Sequence, residues 1–280
     1  MQGHPSAISA VVRTLNSERT LAEALRSIRR QDSTVQEIVV VDSGSSDGTL
    51  GIAKKFDCRT VFYARDRPFN YSESLNLGIA ETASDLILIL SSHMVLGDTG
   101  IVRKMRDNLK YFNACGAYCM PASIPRNDRP DANTVNPTLI TVVHSDIYDG
   151  HNGLWNCCSL ISRSCWEQHP FDTTLPTVED QEWALWHYRN TNLPTVCIRN
   201  AGVLYLNPHF SDRKYIRDRV VVATRLIPSQ GSWRAILGLL LEACIAAFDR
   251  RFRIARRTAC LAWELARQRF WPRNYTSKYY

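Results

Sequence analysis

From residue 7 the chain alternates between apolar runs and amphipathic stretches. Residues 7–14 form a β-rich apolar run, and Asn16 follows as a helix-capping residue type. Leu21, Leu25 and Ile28 then recur at the spacing of one helix face. Residues 37–42 (EIVVVD) are apolar at consecutive positions, as in a parallel strand covered on both faces. A Ser/Gly-rich turn over 43–48 precedes a short helical face of Ile52, Ala53 and Phe56. Residues 60–64 read as a third strand, 72–83 as a helix and 85–90 as a fourth strand. Strand and helix in alternation predict βαβ units on a parallel sheet.

Open sheets of this kind bind ligands beyond the carboxyl ends of their strands. Those ends carry Arg13, Thr14 and Asn16, then Asp42, then Arg65, then Ser91, Ser92 and His93. Asp42 and His93 are therefore expected over one crevice.

The middle of the chain is less regular. Ile101, Met105 and Leu109 mark a helix, and 121–137 is loop-rich. Residues 154–162 are apolar and pass through Asn156, which is expected on a strand facing the crevice. Glu179, Asp180, Glu182, Trp183 and Trp186 open a further helix. The pattern changes again near Ser229. Residues 235–248 are apolar except for Glu242, and this stretch is too short to span a bilayer. DRRFRIARR follows at 249–257, then an amphipathic stretch to Phe270 with Trp263 and Trp271 nearby. Domain boundaries are expected at 1–225 for an α/β unit and 226–280 for basic amphipathic helices.

Composition changes this picture in one respect. The net charge of +7 resides in the C-terminal segment, where residues 225–280 carry 11 Lys or Arg against 3 Asp or Glu. Apolar helices beside arginine clusters and tryptophans suit an anionic membrane surface, reached through 231–273. A hairpin packed on the α/β unit with its arginines solvated is the other reading. No nucleic-acid module accompanies the charge. Nine cysteines with no CxxC pair read as reduced thiols of a cytoplasmic protein, and residues 1–7 do not resemble a secretory signal.

The string VDSGSSDGT at 41–49 has two readings. Asp42 either ends its strand before a capped helix, or accepts hydrogen bonds from a nucleotide base or ribose. No phosphate-loop motif is present. Four segments, ISAVVRTLNSERTLAEALRSI, EIVVVDSGSSDGT, FNYSESLNLGIAETASDLILILSSH and LPTVEDQEW, occur in this order. Together they resemble the family 2 inverting glycosyltransferases of GT-A fold, over roughly residues 7 to 210.

That resemblance implies a nucleotide-sugar donor (UDP-, GDP- or dTDP-linked) and a glycan or lipid-linked acceptor, in surface polysaccharide or glycolipid synthesis on the inner face of the cell membrane. It makes 1–225 the catalytic unit, with 1–100 the nucleotide-binding half and 101–225 the acceptor-binding half, and places Asp42 on the base and Asp180 as catalytic base beside Glu179. Arg13, Thr14, Asn16, Ser72, Asn76, Ser91 and Ser92 fall near the nucleotide. Asn156 and Trp183 fall near donor or acceptor sugar, although Trp183 also suits a core.

The chain departs from the family pattern twice. Leu75 stands where an arginine is usual, and Ser91-Ser92-His93 replaces the metal-binding DxD, as in a Ser-x-His subset. His93, with His209 as a second donor, implies a divalent metal. Nitrogen ligation favours Mn²⁺ over Mg²⁺. The alternative is no metal, with Arg13, Arg65 or Arg67 neutralising the diphosphate. Two other functions fit the same fold: a sugar-nucleotide or glycan-binding module, and a sugar-phosphate nucleotidyltransferase, whose glycine-rich signature is missing.

Overall fold

The computed structural model describes residues 7–63, 68–121, 138–206 and 211–272. They divide into two compact units, one of residues 7–175 and 179–206, the other of Pro176–Val178 with 211–272.

The first unit is a three-layer α/β structure. Its strands are β1 (Ile8–Thr14), β2 (Val35–Asp42), β3 (Arg59–Phe62), β4 (Leu86–Ser91), β5 (Met94–Leu96), β6 (Gly116–Met120), β7 (Leu139–Val143), β8 (Cys158–Ser162), β9 (Thr195–Arg199) and β10 (Val203–Tyr205). Its helices are α1 (Leu21–Arg29), α2 (Thr49–Lys55), α3 (Tyr71–Ala80), α4 (Ile101–Tyr111), α5 (Arg163–Gln168) and α6 (Glu179–Asn190). Eight strands form one sheet in the order β3-β2-β1-β4-β8-β6-β9-β7, and β5 pairs with β10 apart from it. The pairs β3–β2, β2–β1, β1–β4 and β6–β9 are parallel, whereas β8 and β7 run against their neighbours. This is the mainly parallel, helix-flanked sheet of the GT-A fold.

The consecutive apolar residues of the central strands follow from burial on both faces. Ile8, Ala10 and Val12 share a core with Leu88 and Leu90, against Leu21, Leu25 and Ile28 of α1 and Ile101 and Met105 of α4. The opposite face, with Val11 and Val41, meets α3 at Gly78. A Cβ there would lie 2.5 Å from Val41 Cγ2 and 2.6 Å from Val11 Cγ1. Only glycine allows α3 this close to the sheet.

Local signals were partly overruled. Asn16 does not cap α1. The helix starts after Thr20, and Asn16 takes a left-handed conformation (φ 46°) in the preceding loop. Asn70 is the side-chain cap of α3, accepting from the Glu73 N–H. Strand β7 lies just beyond the loop-rich stretch and pairs with β9, a non-local partner that local pattern does not reveal.

The second unit contains α7 (Asp212–Val221), a π-helical turn at Val222–Leu226, a 3₁₀ turn at Pro228–Gly231, α8 (Trp233–Phe248) and α9 (Phe252–Phe270). Val220, Ala223, Ile236, Leu261, Ala262 and Leu265 form its core. Among the described residues no helix is long and apolar enough to cross a membrane.

Candidate active site

Strand register sets the frame of the site. Thr14 lies opposite Asp42, and Arg13 opposite Ser91, in parallel pairs. β8 runs against β4 with Cys158 opposite Leu90, so it begins where β4 ends. The carboxyl ends of β1, β2 and β4 and the amino end of β8 therefore share one edge. Three strand spacings separate β2 from β8, about 14 Å.

Hydrogen bonds run along this edge. Thr14 Oγ1 donates to Asp42 Oδ1 at 3.0 Å. Ser17 and Ser92 hydroxyls meet at 2.8 Å. The Ser91 N–H donates to Cys157 O at 3.0 Å. The Asn156 N–H donates to Asp180 Oδ2 at 3.2 Å. Asp42, His93 and Asp180, far apart in sequence, are thus brought to one side of the sheet.

Asp42 is 1% exposed. Besides Thr14, its carboxylate accepts from the Gly44 and Ser45 N–H groups, both at 2.8 Å, and from Ser45 Oγ at 2.5 Å. Four bonds match the acceptor positions of a carboxylate. Asp42 therefore organises the turn after β2. Asn16 ties the β1–α1 loop to the same turn, its Oδ1 accepting from the Ser46 N–H at 2.9 Å.

Arg13 stands at the end of β1 with its guanidinium carbon 4.8 Å from the Tyr71 ring centroid. Its Nη1 is buried and has no hydrogen-bond partner among the described residues. A buried donor left so costs about 1–3 kcal/mol, more when charged, which an anionic ligand would recover.

His93 occupies the turn between β4 and β5. Its carbonyl accepts from the Leu206 N–H at 2.8 Å, and its ring packs edge-on against Tyr205 at 4.8 Å. Tyr205 stacks at 6.5 Å on Trp155, the neighbour of Asn156. Trp155 and Tyr205 are half-buried aromatics that sequence reading missed. Trp155 was findable from its place beside Asn156. Tyr205 was not, since the β10–β5 pairing brings it here.

Glu179 and Asp180 open α6, with Glu182 in the same first turn. Glu179 is 6% exposed, while Asp180 is half-buried. Asp180 Oδ1 also accepts from the Gln181 N–H at 2.8 Å. Asn156 Nδ2 reaches Glu179 Oε1 at 3.4 Å, and Asn156 Oδ1 accepts from Ser159 Oγ at 3.1 Å. The residue before this pair, Val178, has φ 61°. A β-branched residue in that region carries strain of order 1–3 kcal/mol.

Several expected site residues are otherwise engaged. Asn156 is not on a strand; it sits in the turn before β8, 2% exposed, and holds the acid pair. Ser72 is fully buried and donates to Asp172 O at 2.7 Å. Asn76 donates to Phe171 O and accepts from Trp166 Nε1 and the Phe171 N–H. Both stitch α3 to the 171–172 segment; Ser72, 0% exposed, is corrected to a structural role, while Asn76 is half-buried. Trp183 is also corrected. It is 0% exposed and its indole donates to His169 O at 2.7 Å, leaving no face for a sugar. Trp186 instead stacks on the His169 ring at 4.4 Å. His209, Arg65 and Arg67 lie outside the described residues.

Among the described residues no group of three or more His, Cys, Asp or Glu is gathered to hold a metal ion. All nine cysteines are free thiols. Cys115, Cys119, Cys158, Cys165 and Cys197 are buried, and burial pushes the Cys115 thiol well up. They are core residues, not nucleophiles.

Among curated proteins, the O-antigen chain rhamnosyltransferase RfbN of Salmonella typhimurium is 27% identical over 106 residues, 38% of this chain and 32% of that protein. The putative glycosyltransferase EpsE of Bacillus subtilis is 43% identical over 49 residues, 18% of each chain. The matches thus span about a third and about a fifth of these relatives. A mannosyltransferase of Pyrobaculum calidifontis, solved with GDP-Man and Mn²⁺, superposes with TM-score 0.63 at 13% identity, covering 97% of this chain and 89% of its own. Glucosyl-3-phosphoglycerate synthase of Mycobacterium tuberculosis, solved with Mn²⁺, UDP and phosphoglyceric acid, gives TM-score 0.58 at 19% identity, covering 79% and 78%. The sequence profile of glycosyl transferase family 2 matches residues 9–170, more than half of the chain and the stretch that carries Asp42, His93 and Asn156. The chain therefore belongs to glycosyl transferase family 2.

Proposed function

We propose that the protein transfers one sugar, with inversion, from a nucleotide-sugar to a hydroxyl of a glycan or lipid-linked acceptor, in building a surface polysaccharide or glycolipid. The observation that carries this reading is the hydrogen-bonded edge joining Asp42 to Asp180. Base and ribose lie at the Thr14–Asp42 end, where a nucleotide group would replace the Ser45 hydroxyl on Asp42. The diphosphate lies by Arg13, Ser91, Ser92 and His93. The sugar lies beside Trp155, and the acceptor at Asp180.

In the reaction the acceptor oxygen attacks the anomeric carbon from the face opposite the diphosphate. Its proton passes to the Asp180 carboxylate as the bond forms. The anomeric C–O bond to the diphosphate breaks, and the electron pair leaves on that oxygen. Arg13, whose buried Nη1 has no hydrogen-bond partner among the described residues, offsets the charge that develops there. Asn156 acts through the acid pair, as a positioning residue.

Among the described residues His93 has no cluster of three or more His, Cys, Asp or Glu around it. A cation arriving with the diphosphate would neutralise the leaving group, with His93 and His209 as its proposed protein donors. Nitrogen ligation favours Mn²⁺ over Mg²⁺. The relatives' rhamnosyl, mannosyl and glucosyl transfers leave UDP-, GDP- and dTDP-sugars as the donors to screen.

Asp180→Asn tests the assignment. Transfer is expected to fall at least 100-fold, within the usual span for a lost general base. Nucleotide affinity should be unchanged by calorimetry. Near-normal turnover in this variant rejects the proposal.

A further inference from the structure

Helix α8, WRAILGLLLEACIAAF, carries only Arg234 and Glu242 as charged residues. One side packs in the second unit, with Ile236, Ala243 and Ala246 buried. The other is exposed. Trp233, Leu237, Leu240, Leu241, Ile245 and Phe248 are between 43% and 90% accessible. Their spacing, i, i+4, i+7, i+8, i+12 and i+15, makes one continuous stripe along the helix. A helix face turned to water normally carries charge; an apolar stripe of this length marks a docking surface.

The flanking charge says what docks. Arg250, Arg253 and Arg256 are exposed just beyond the stripe, beside Phe252 at 68%. At the other end of the hairpin Trp233 lies 6.0 Å from Phe270, and the Arg269 guanidinium sits 5.4 Å over the Trp233 ring. The exposed faces of α8 and α9 therefore meet there, in a cluster of tryptophan, phenylalanine and arginine. That composition matches the boundary between acyl chains and anionic headgroups. A second copy is a poorer fit, because a twofold contact would set arginines against arginines. α8 is about 24 Å long at 1.5 Å per residue, less than a bilayer core of about 30 Å. It would lie in the surface and not cross it.

We infer that the α8–α9 hairpin docks on an anionic lipid bilayer, with the α8 stripe in the acyl boundary and the arginines on the headgroups. This inference does not depend on the proposed transfer.

Co-sedimentation of the full chain with vesicles of phosphatidylcholine, with and without about a third phosphatidylglycerol, tests the inference. The native chain should bind the anionic vesicles and lose binding as salt is raised. Leu237→Glu with Leu241→Glu should weaken binding at least tenfold. Both residues are exposed, and an unchanged circular dichroism melt will confirm folding. Arg253→Gln with Arg256→Gln should weaken it roughly 25-fold, about fivefold per arginine. No binding by the native chain at low salt overturns the inference. So does unaltered binding by the leucine variant. So does a concentration-dependent dimer, in sedimentation velocity without lipid, that the leucine substitutions abolish.

Discussion

Asn156→Ala probes the junction between β8 and α6. The side chain is 2% exposed and has two partners. Its Nδ2 donates to Glu179 Oε1 at 3.4 Å, and its Oδ1 accepts from Ser159 Oγ at 3.1 Å. A hydrogen bond to a charged group contributes about 1.5–3 kcal/mol, and so long a contact belongs at the low end. Ser159 is 0% exposed, so its orphaned hydroxyl adds a penalty of about 1–3 kcal/mol. The expected loss is about 3 kcal/mol, read as a shift in the first urea transition followed by tryptophan fluorescence. Adding Ser159→Ala removes the orphaned hydroxyl and should restore about 1 kcal/mol, so the two substitutions couple. Asp180 is held by the backbone N–H of Asn156, which the substitution keeps. Turnover should therefore fall less than in Asp180→Asn. A loss under about 0.5 kcal/mol for Asn156→Ala, or full additivity of the pair, would refute the reasoning.

Gly78→Ala places a methyl 2.5 Å from Val41 Cγ2, and should destabilise by about 1–3 kcal/mol despite alanine's better helix propensity; urea unfolding reads this. His187 is 0% exposed, and burial, with His169 nearby, pushes its imidazole down to about 4 from the usual 6.5. The unfolded chain takes up that proton first, so stability should fall as pH drops from about 6.5 to about 4, by about 3 kcal/mol. His187→Leu should flatten this part of a melting-temperature profile, and an unchanged slope would count against it. Trp183→Ala should cost about 3–5 kcal/mol, whereas Trp155→Ala should leave the melt nearly intact and lower kcat/KM for transfer. Equal stability losses for the two would reverse their assignments.

Much of the first hundred residues was legible because β1, β2 and β4, covered on both faces, are apolar along most of their length, and α1 has one apolar face. The family segments then pointed to the edge where Asp42, His93 and Asp180 lie. What the sequence did not convey depends on partners remote in the chain. β7 is a sheet strand only because β9 lies beside it. Ser72 and Asn156 are polar residues near a site by sequence, but tertiary contacts decide that they serve the fold or the acid pair. Trp183 and Trp155 are the same residue type, and only packing makes one core and the other half-exposed. Likewise the composition of α8 showed an apolar helix, but the position of α9 decided which side stays bare. Local pattern records what a segment can bury; the assembled fold determines which of those surfaces is covered.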